Sequence, residues 1–330
     1  MPARICWYPE FVRVAGVIPG LSVGHVTDNR GLTGCTVIMP ERPATGALEI
    51  AGRAAAVHGL EFLDPRHLAP TVDAVVLAGG SAYGLEAIWG VMQWLEERGR
   101  GFPVSRTVVP HVAGAIIFDL SVGDHRARPD RAMGHAAAAA AGAGPVAEGS
   151  VGAGTGATVG KLYGIERAMR GGLGVARVER DGITTAALMV VNAVGDVRDP
   201  VTGRLLAGAR DAPDGRQLVD TAAALAAGVS PPRFRPAHTT IGVVATTAAL
   251  SKAEAARVAR LGLAGFGRAL SPPHLDTDGD CLFCLSIGAQ PADVAGVGAA
   301  AAEAVATAIA RGVLSATPLP GLPTARDLFR

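Results

Sequence analysis

The stretch that most constrains this chain is Pro231 to Thr247, which reads Pro-Pro-Arg-Phe-Arg-Pro-Ala-His-Thr-Thr-Ile-Gly-Val-Val-Ala-Thr-Thr. Pro231, Pro232 and Pro236 lack a backbone donor and push their predecessors out of the helical region, so the first half is neither helix nor central strand. The second half is a β-branched apolar run, the pattern of a buried strand. An exposed linker therefore feeds straight into a core strand, and His238, Thr239 and Thr240 form the junction. If the chain were cut between His238 and Thr239, the Thr239 hydroxyl would sit beside a new α-amine. Such an amine titrates near pKa ~7.7–8.0 and suits a general base for its own side chain. The same residues also suit an ordinary linker entering an ordinary strand.

Around this junction the chain alternates strands and helices. Ser22 to Thr27, Cys35 to Met39 and Leu48 to Ala51 read as antiparallel strands. Asp73 to Ala78 is a buried strand that breaks into glycines, and a helix follows with Leu85, Ile88, Trp89, Met92 and Leu95 on one face. Val108 to Leu120 reads as a strand pair and Arg131 to Ala141 as an alanine-rich helix. Strands follow at Gly174 to Glu179 and Ile183 to Val191, the latter ending on Asn192, then a helix near Arg216 to Ala227. After Thr239, strand Thr240–Ala245 precedes a capping box, Ser251-Lys-Ala-Glu254, opening a helix to about Leu270. Strand Cys281–Ile287 and a helix over Ala292–Arg311 close a β-α-β-α unit. No shift in composition divides residues 1–330, so one layered domain with strands between helices is expected.

Composition removes several classes. With 18% charged residues, a net charge of +1 and 4% aromatics, there is neither a basic field nor a stacking platform for nucleic acid. The longest apolar segment, Val294 to Ala310, carries Glu303 near its centre, which costs about 2.5–3.5 kcal/mol in a bilayer. It reads as a buried helix, and with no secretory signal visible the expectation is a cytoplasmic protein without a membrane partner. Cys281 and Cys284 form a lone CxxC in a strand-like run, better read as small buried hydrophobes than as a zinc pair.

Three motifs fail on spacing. Gly160-Lys161 lacks the Walker glycine and is followed by Leu162. Gly152-Ala-Gly154 does not complete a dinucleotide fingerprint. Gly80-Ser81-Ala-Tyr-Gly84 is one residue off a nucleophile elbow, and Ser81 reads better as a helix cap. Asp276-Thr-Asp278-Gly-Asp280 survives. It suits an Asx-turn entering a strand, and equally a pair of carboxylates that hold and polarise a nearby amine and hydroxyl. Because strands 240–245 and 281–287 flank one helix, they should be neighbours, which brings Asp278 and Asp280 towards Thr239. Lys161 and Asn192 occupy comparable turn or strand-end positions, where a lysine can depress a pKa and an asparagine amide can bind an oxyanion.

Five segments in this order, Gly79-Gly-Ser-Ala-Tyr-Gly-Leu85, Ile116-Ile-Phe-Asp-Leu120, Val190-Val-Asn-Ala-Val-Gly195, Thr239-Thr-Ile-Gly-Val-Val-Ala-Thr246 and Asp278-Gly-Asp280, resemble the self-processing aminopeptidase family typified by DmpA. That family includes the nylon-oligomer hydrolase NylC, and the resemblance runs from about Gly20 to Asp327. It implies an α/β fold, a four-layer αββα sandwich of the N-terminal-nucleophile type, cut between His238 and Thr239 into chains 1–238 and 239–330. It further implies a catalytic set of Thr239, Lys161, Asn192, Asp278 and Asp280, with no cofactor or metal, and a pocket near Phe118, Ser81 and Tyr83. Homo-oligomers, as tetramers of cleaved heterodimers, are implied too. The substrate expected is a short peptide or small amide, extending to 6-aminohexanoate oligomers. Two departures stand out: relatives usually carry Asn where His238 stands, and Phe118 stands where some carry a site tyrosine. An acyltransferase of related architecture and an unprocessed binding homologue are the alternatives.

Overall fold

The computed structural model describes residues 18–230 and 238–329, so the proline linker expected before His238 lies outside the described residues. Its main strands, in chain order, are β1 (Leu21–Asp28), β2 (Thr33–Pro40), β3 (Thr45–Ile50), β4 (Val57–His58), β5 (Ala74–Ala78), β6 (Val112–Ile116), β7 (Gly172–Arg180), β8 (Ile183–Val191), β9 (Ile241–Ala248) and β10 (Cys281–Gln290). They build two five-stranded sheets, one ordered β1-β2-β5-β6-β4 and the other β7-β8-β9-β10-β3. Each sheet is antiparallel except for one pair, β5 with β6 and β9 with β10, which run parallel.

The strand pleat sorts side chains between layers. From β9, Ile241, Val243 and Ala245 enter a core shared with the first sheet, where they meet Val75 and Leu77 of β5. Val244 and Ala248 point the other way, into a core built with helices α3 (Lys252–Gly262), α4 (Ala264–Ala269) and α5 (Val294–Leu314). The outer face of the first sheet, with Val76 and Ala78, packs on helices α1 (Ala87–Glu96) and α2 (Arg131–Ala139). The order of layers is therefore helix, sheet, sheet, helix. Each large apolar side chain fully buried in these cores contributes about 1.5–3 kcal/mol.

Several expectations shift in detail. The helix expected from Ser251 to Leu270 opens on its capping box but divides at Leu263. A Cβ on Gly262 would lie 2.7 Å from Leu282, and one on Gly265 would lie 2.4 Å from the Ala302 carbonyl, so both glycines serve close helix packing. The helix expected over Arg216–Ala227 contracts to Thr221–Ala226, because the Asp220 carboxylate caps it by accepting from Ala223 N–H. Helix α5 is long and apolar enough to cross a membrane, yet 72% of its apolar window is buried inside the fold. Cys281 faces the core between the sheets and Cys284 faces the helices, so the two thiols point apart, and burial pushes that of Cys284 up to about 12.

Candidate active site

The parallel pairing of β9 and β10 sets Ile241 opposite Cys281, which brings the residues entering each strand side by side. His238 bridges Asp278 and accepts Gly279 N–H through its carbonyl at 3.0 Å. Thr240 N–H donates to Asp280 Oδ1 at 2.7 Å. Between them Thr239, only 4% exposed, turns its hydroxyl onto the carbonyl oxygen of His238. Gly279 is glycine for a steric reason: a Cβ there would lie 2.7 Å from Thr239 Oγ.

Lys161 and Asn192 close the opposite side. Asn192 directly follows β8, and its carbonyl accepts both Thr239 N–H at 3.0 Å and Lys161 Nζ at 2.9 Å. These two nitrogens therefore lie within about 6 Å of each other. Lys161 Nζ also donates to Thr158 O at 3.0 Å and Asn192 Oδ1 at 2.9 Å, so all its protons are engaged. With Oδ1 turned to Lys161 and Thr158 N–H, the Asn192 amide points its NH2 group at the Phe118 carbonyl, 3.1 Å away.

Burial pulls the Lys161 ammonium down to about 7, a fall resisted by the negative charges of Asp278, Asp119 and Asp280. Burial and the neighbouring Asp280 push the Asp278 carboxyl up. Asp278 Oδ2 accepts Leu275 N–H at 2.8 Å, whereas Oδ1 is buried with no partner among the described residues. Asp280 has both oxygens engaged: Oδ2 faces His274 Nδ1 at 2.9 Å and accepts His274 N–H at 3.1 Å.

The pocket residues fare differently. Phe118 is half-buried and contributes its carbonyl to Asn192. Ser81 is not a helix cap. Gly80 holds that position without a side-chain bond, and Ser81 sits inside the turn 81–86 at φ +56° with its N–H on the Ile117 carbonyl. The left-handed Gly80 occupies the cap position, and no side-chain hydrogen bond caps the turn. Tyr83 is 60% exposed, with the Arg128 guanidinium 3.7 Å above its ring. The His238 imidazole is buried with Nδ1 unpartnered among the described residues, and that burial drives its pKa down.

Two residues that face this site were not singled out from the sequence. Asp119 is buried, accepts Gly80 N–H and the Thr33 hydroxyl at 2.7 Å each, and acts on the Lys161 charge. His274 reaches Asp280 from just before the Asp-Gly-Asp turn. Asp119 did carry a signal, since it closes the Ile-Ile-Phe-Asp run, whereas His274 stands alone between a proline and a leucine. Among the described residues, no group of three or more His, Cys, Asp or Glu is arranged to hold a metal.

A model of peptidase family S58 matches residues 17–326. An uncharacterized aminopeptidase of Mycobacterium tuberculosis is 44% identical over 320 residues, which covers 90% of each chain. The 6-aminohexanoate-oligomer endohydrolase of Kocuria sp. is 33% identical over 274 residues, covering 81% of this chain and 73% of the relative. Among solved structures, the L-aminopeptidase D-Ala-esterase/amidase of Ochrobactrum anthropi superposes with a TM-score of 0.71 at 19% identity, over 94% of this chain and 91% of its own. That enzyme is described as a variant of the Ntn hydrolase fold, and at this identity the likeness is one of fold.

Proposed function

The chain belongs to peptidase family S58, and on that premise we propose that it is a self-processing hydrolase of peptide and amide bonds whose nucleophile is Thr239. In the precursor, Thr239 Oγ attacks the His238 carbonyl carbon. A C–O bond forms, the C–N bond breaks, and the hydroxyl proton passes to the departing nitrogen. Water then cleaves the ester, releasing residues 1–238 as one chain and leaving residues 239–330 with Thr239 at the new terminus. The Gly279 N–H held against the His238 oxygen is aimed where negative charge develops in that step.

In the processed enzyme the Thr239 α-amine becomes the base for its own hydroxyl. The observation that carries this reading is the shared carbonyl of Asn192, which holds the Thr239 nitrogen and the Lys161 ammonium within about 6 Å. A cation that close disfavours protonation of the amine and keeps it a base near neutral pH. Asp278 and Asp280 offset the lysine charge and fix the strand entry. Asn192, whose NH2 group lies beside the Phe118 carbonyl, is assigned to the oxyanion of the acyl-transfer step. Water releases the acid from the acyl-enzyme.

The substrates proposed are short peptides and small amides with a free end, with linear 6-aminohexanoate oligomers as an extension suggested by the Kocuria relative. Denaturing electrophoresis with intact mass of the purified protein tests the reading. Fragments 1–238 and 239–330 are expected from the wild type and a single full-length chain from Thr239→Ala. If both stay full-length and share one hydrolase activity, Thr239 is not the nucleophile.

A further inference from the structure

Asp280 holds the strand entry through one oxygen, which accepts the N–H of Thr240, the residue after the proposed nucleophile. That carboxylate is almost fully enclosed, with a side chain 1% exposed. Lys161, the cation of the site, spends its protons on Thr158 O, Asn192 O and Asn192 Oδ1 and makes no ion pair with Asp280. A buried carboxylate oxygen without donors would carry a heavy desolvation cost. The donors to Oδ2 both come from one residue, His274, through its backbone N–H and its ring Nδ1. A ring nitrogen facing a carboxylate oxygen at 2.9 Å carries the proton.

Making both bonds requires an unusual backbone. His274 sits at φ +57°, in the left-handed region that residues other than Gly seldom adopt, Asn, Asp and His being the commonest exceptions. The ring is backed by Phe266 of α4, with centroids 5.1 Å apart. Phe266 is itself fully buried, so the imidazole has a rigid wall behind it and Asp280 in front. Three-quarters of the His274 side chain is covered and one quarter reaches solvent.

We propose that His274 is a positioning residue: its imidazole pins Asp280, and through Asp280 and the Thr240 N–H it fixes the angle at which Thr239 meets a carbonyl. The inference rests on Thr239 being the nucleophile. It concerns geometry at the reacting atom, where a displacement of about 1 Å can cost about 100-fold in rate.

The test compares wild type, His274→Phe and His274→Asn, read out by the rate of splitting after His238 and by kcat and KM of the processed enzyme on an amino-acid p-nitroanilide. Phenylalanine keeps a ring against Phe266 but has no donor. Asparagine keeps a side-chain N–H near the Nδ1 position and tolerates the left-handed backbone. His274→Phe is expected to lower kcat and the splitting rate about 100-fold, with KM within about threefold of wild type. His274→Asn is expected to recover to within about fivefold of wild type. Equal losses in the two variants, or KM rising with kcat unchanged, would mean a structural or binding role and would overturn the proposal. So would a His274→Phe enzyme that splits and turns over like wild type. A wild type that never splits overturns the Thr239 reading as well, which separates that failure from one confined to His274.

Discussion

The two parallel strand pairs, one in each sheet, deliver carboxylates to the same lysine in different ways. In the first sheet the polar residues follow the strands: Gly79 and Gly80 come after β5, and Asp119 comes after β6. In the second they precede them: Thr239 leads into β9, and Asp278 and Asp280 lead into β10. Asp119 has each oxygen taken by a protein donor, Gly80 N–H and the Thr33 hydroxyl. Asp278 leaves Oδ1 buried and unpartnered among the described residues. A saturated carboxylate is a strut, and an unsaturated one in the same electrostatic neighbourhood is available to chemistry.

The sharpest way to break this contrast is at the proposed nucleophile. Thr239→Ala is expected to leave the chain full-length and to lower amide hydrolysis at least about 1000-fold, while Asp119→Asn still splits. Intact mass and a chromogenic amide assay read both. An Asp119→Asn chain that stays whole would put the first sheet's carboxylate inside the reaction.

Asp278→Asn should cost about 100-fold or more in kcat, yet stabilise the fold. The sign follows from its pKa, which burial and Asp280 raise in the folded state. A carboxyl raised on folding contributes stability that is complete below its unfolded value near 3.8 and lost as pH rises through its raised folded value. The variant should therefore gain on wild type, by an amount on the order of a few kcal/mol, as pH climbs from 4 to 8. Thermal unfolding across that range checks it, and a constant gap would mean that Asp278 carries no such strain.

A pair of glycines offers a subtler cut. A Cβ on Gly279 would lie 2.7 Å from Thr239 Oγ, and one on Gly79 would lie 2.1 Å from Asp119 Oδ2. Each Gly→Ala change should cost about 1–3 kcal/mol of stability from overpacking. Gly279→Ala should in addition slow splitting about 10- to 100-fold, since it moves the attacking atom. Time courses on freshly refolded precursor would separate the two.

How much of this was legible in the sequence follows the same division. The β9–α3–β10 unit could be read because its strands are continuous apolar runs and its helix announces itself with a capping box, and their pairing carries Asp278 and Asp280 to Thr239. Lys161 and Asn192 could be picked out as strand-end residues, but their contact spans 31 positions and depends on two turns folding against each other. Asp119 had a motif and no assigned task, because its partners, Thr33 and Gly80, lie 86 and 39 positions away. His274 had neither motif nor periodicity, since a left-handed backbone at a histidine leaves no pattern to read. Ser81 reads as a cap because a serine before a helix fits the statistics, whereas in the fold the left-handed Gly80 takes that position.

The smallest effect expected is also the one that best measures the contrast. Asp119→Asn can keep its shape: the asparagine oxygen accepts Gly80 N–H, and its NH2 donates to the Thr33 hydroxyl, which turns to accept. Stability at neutral pH should change by no more than about 1 kcal/mol, because two charge-assisted bonds weaken while a buried charge disappears. Electrostatics should still register the loss, since Asp119 raises the Lys161 pKa against the pull of burial. Without it Lys161 sheds its proton at lower pH, and the alkaline fall in kcat/KM should move to lower pH, with the plateau within about tenfold of wild type. Asp278→Asn should move that limb further, because Asp278 ranks ahead of Asp119 among the charges acting on the lysine. A profile that shifts for Asp278→Asn and stays put for Asp119→Asn would make the saturated carboxylate electrostatically silent, and the first sheet would then serve the site by shape alone.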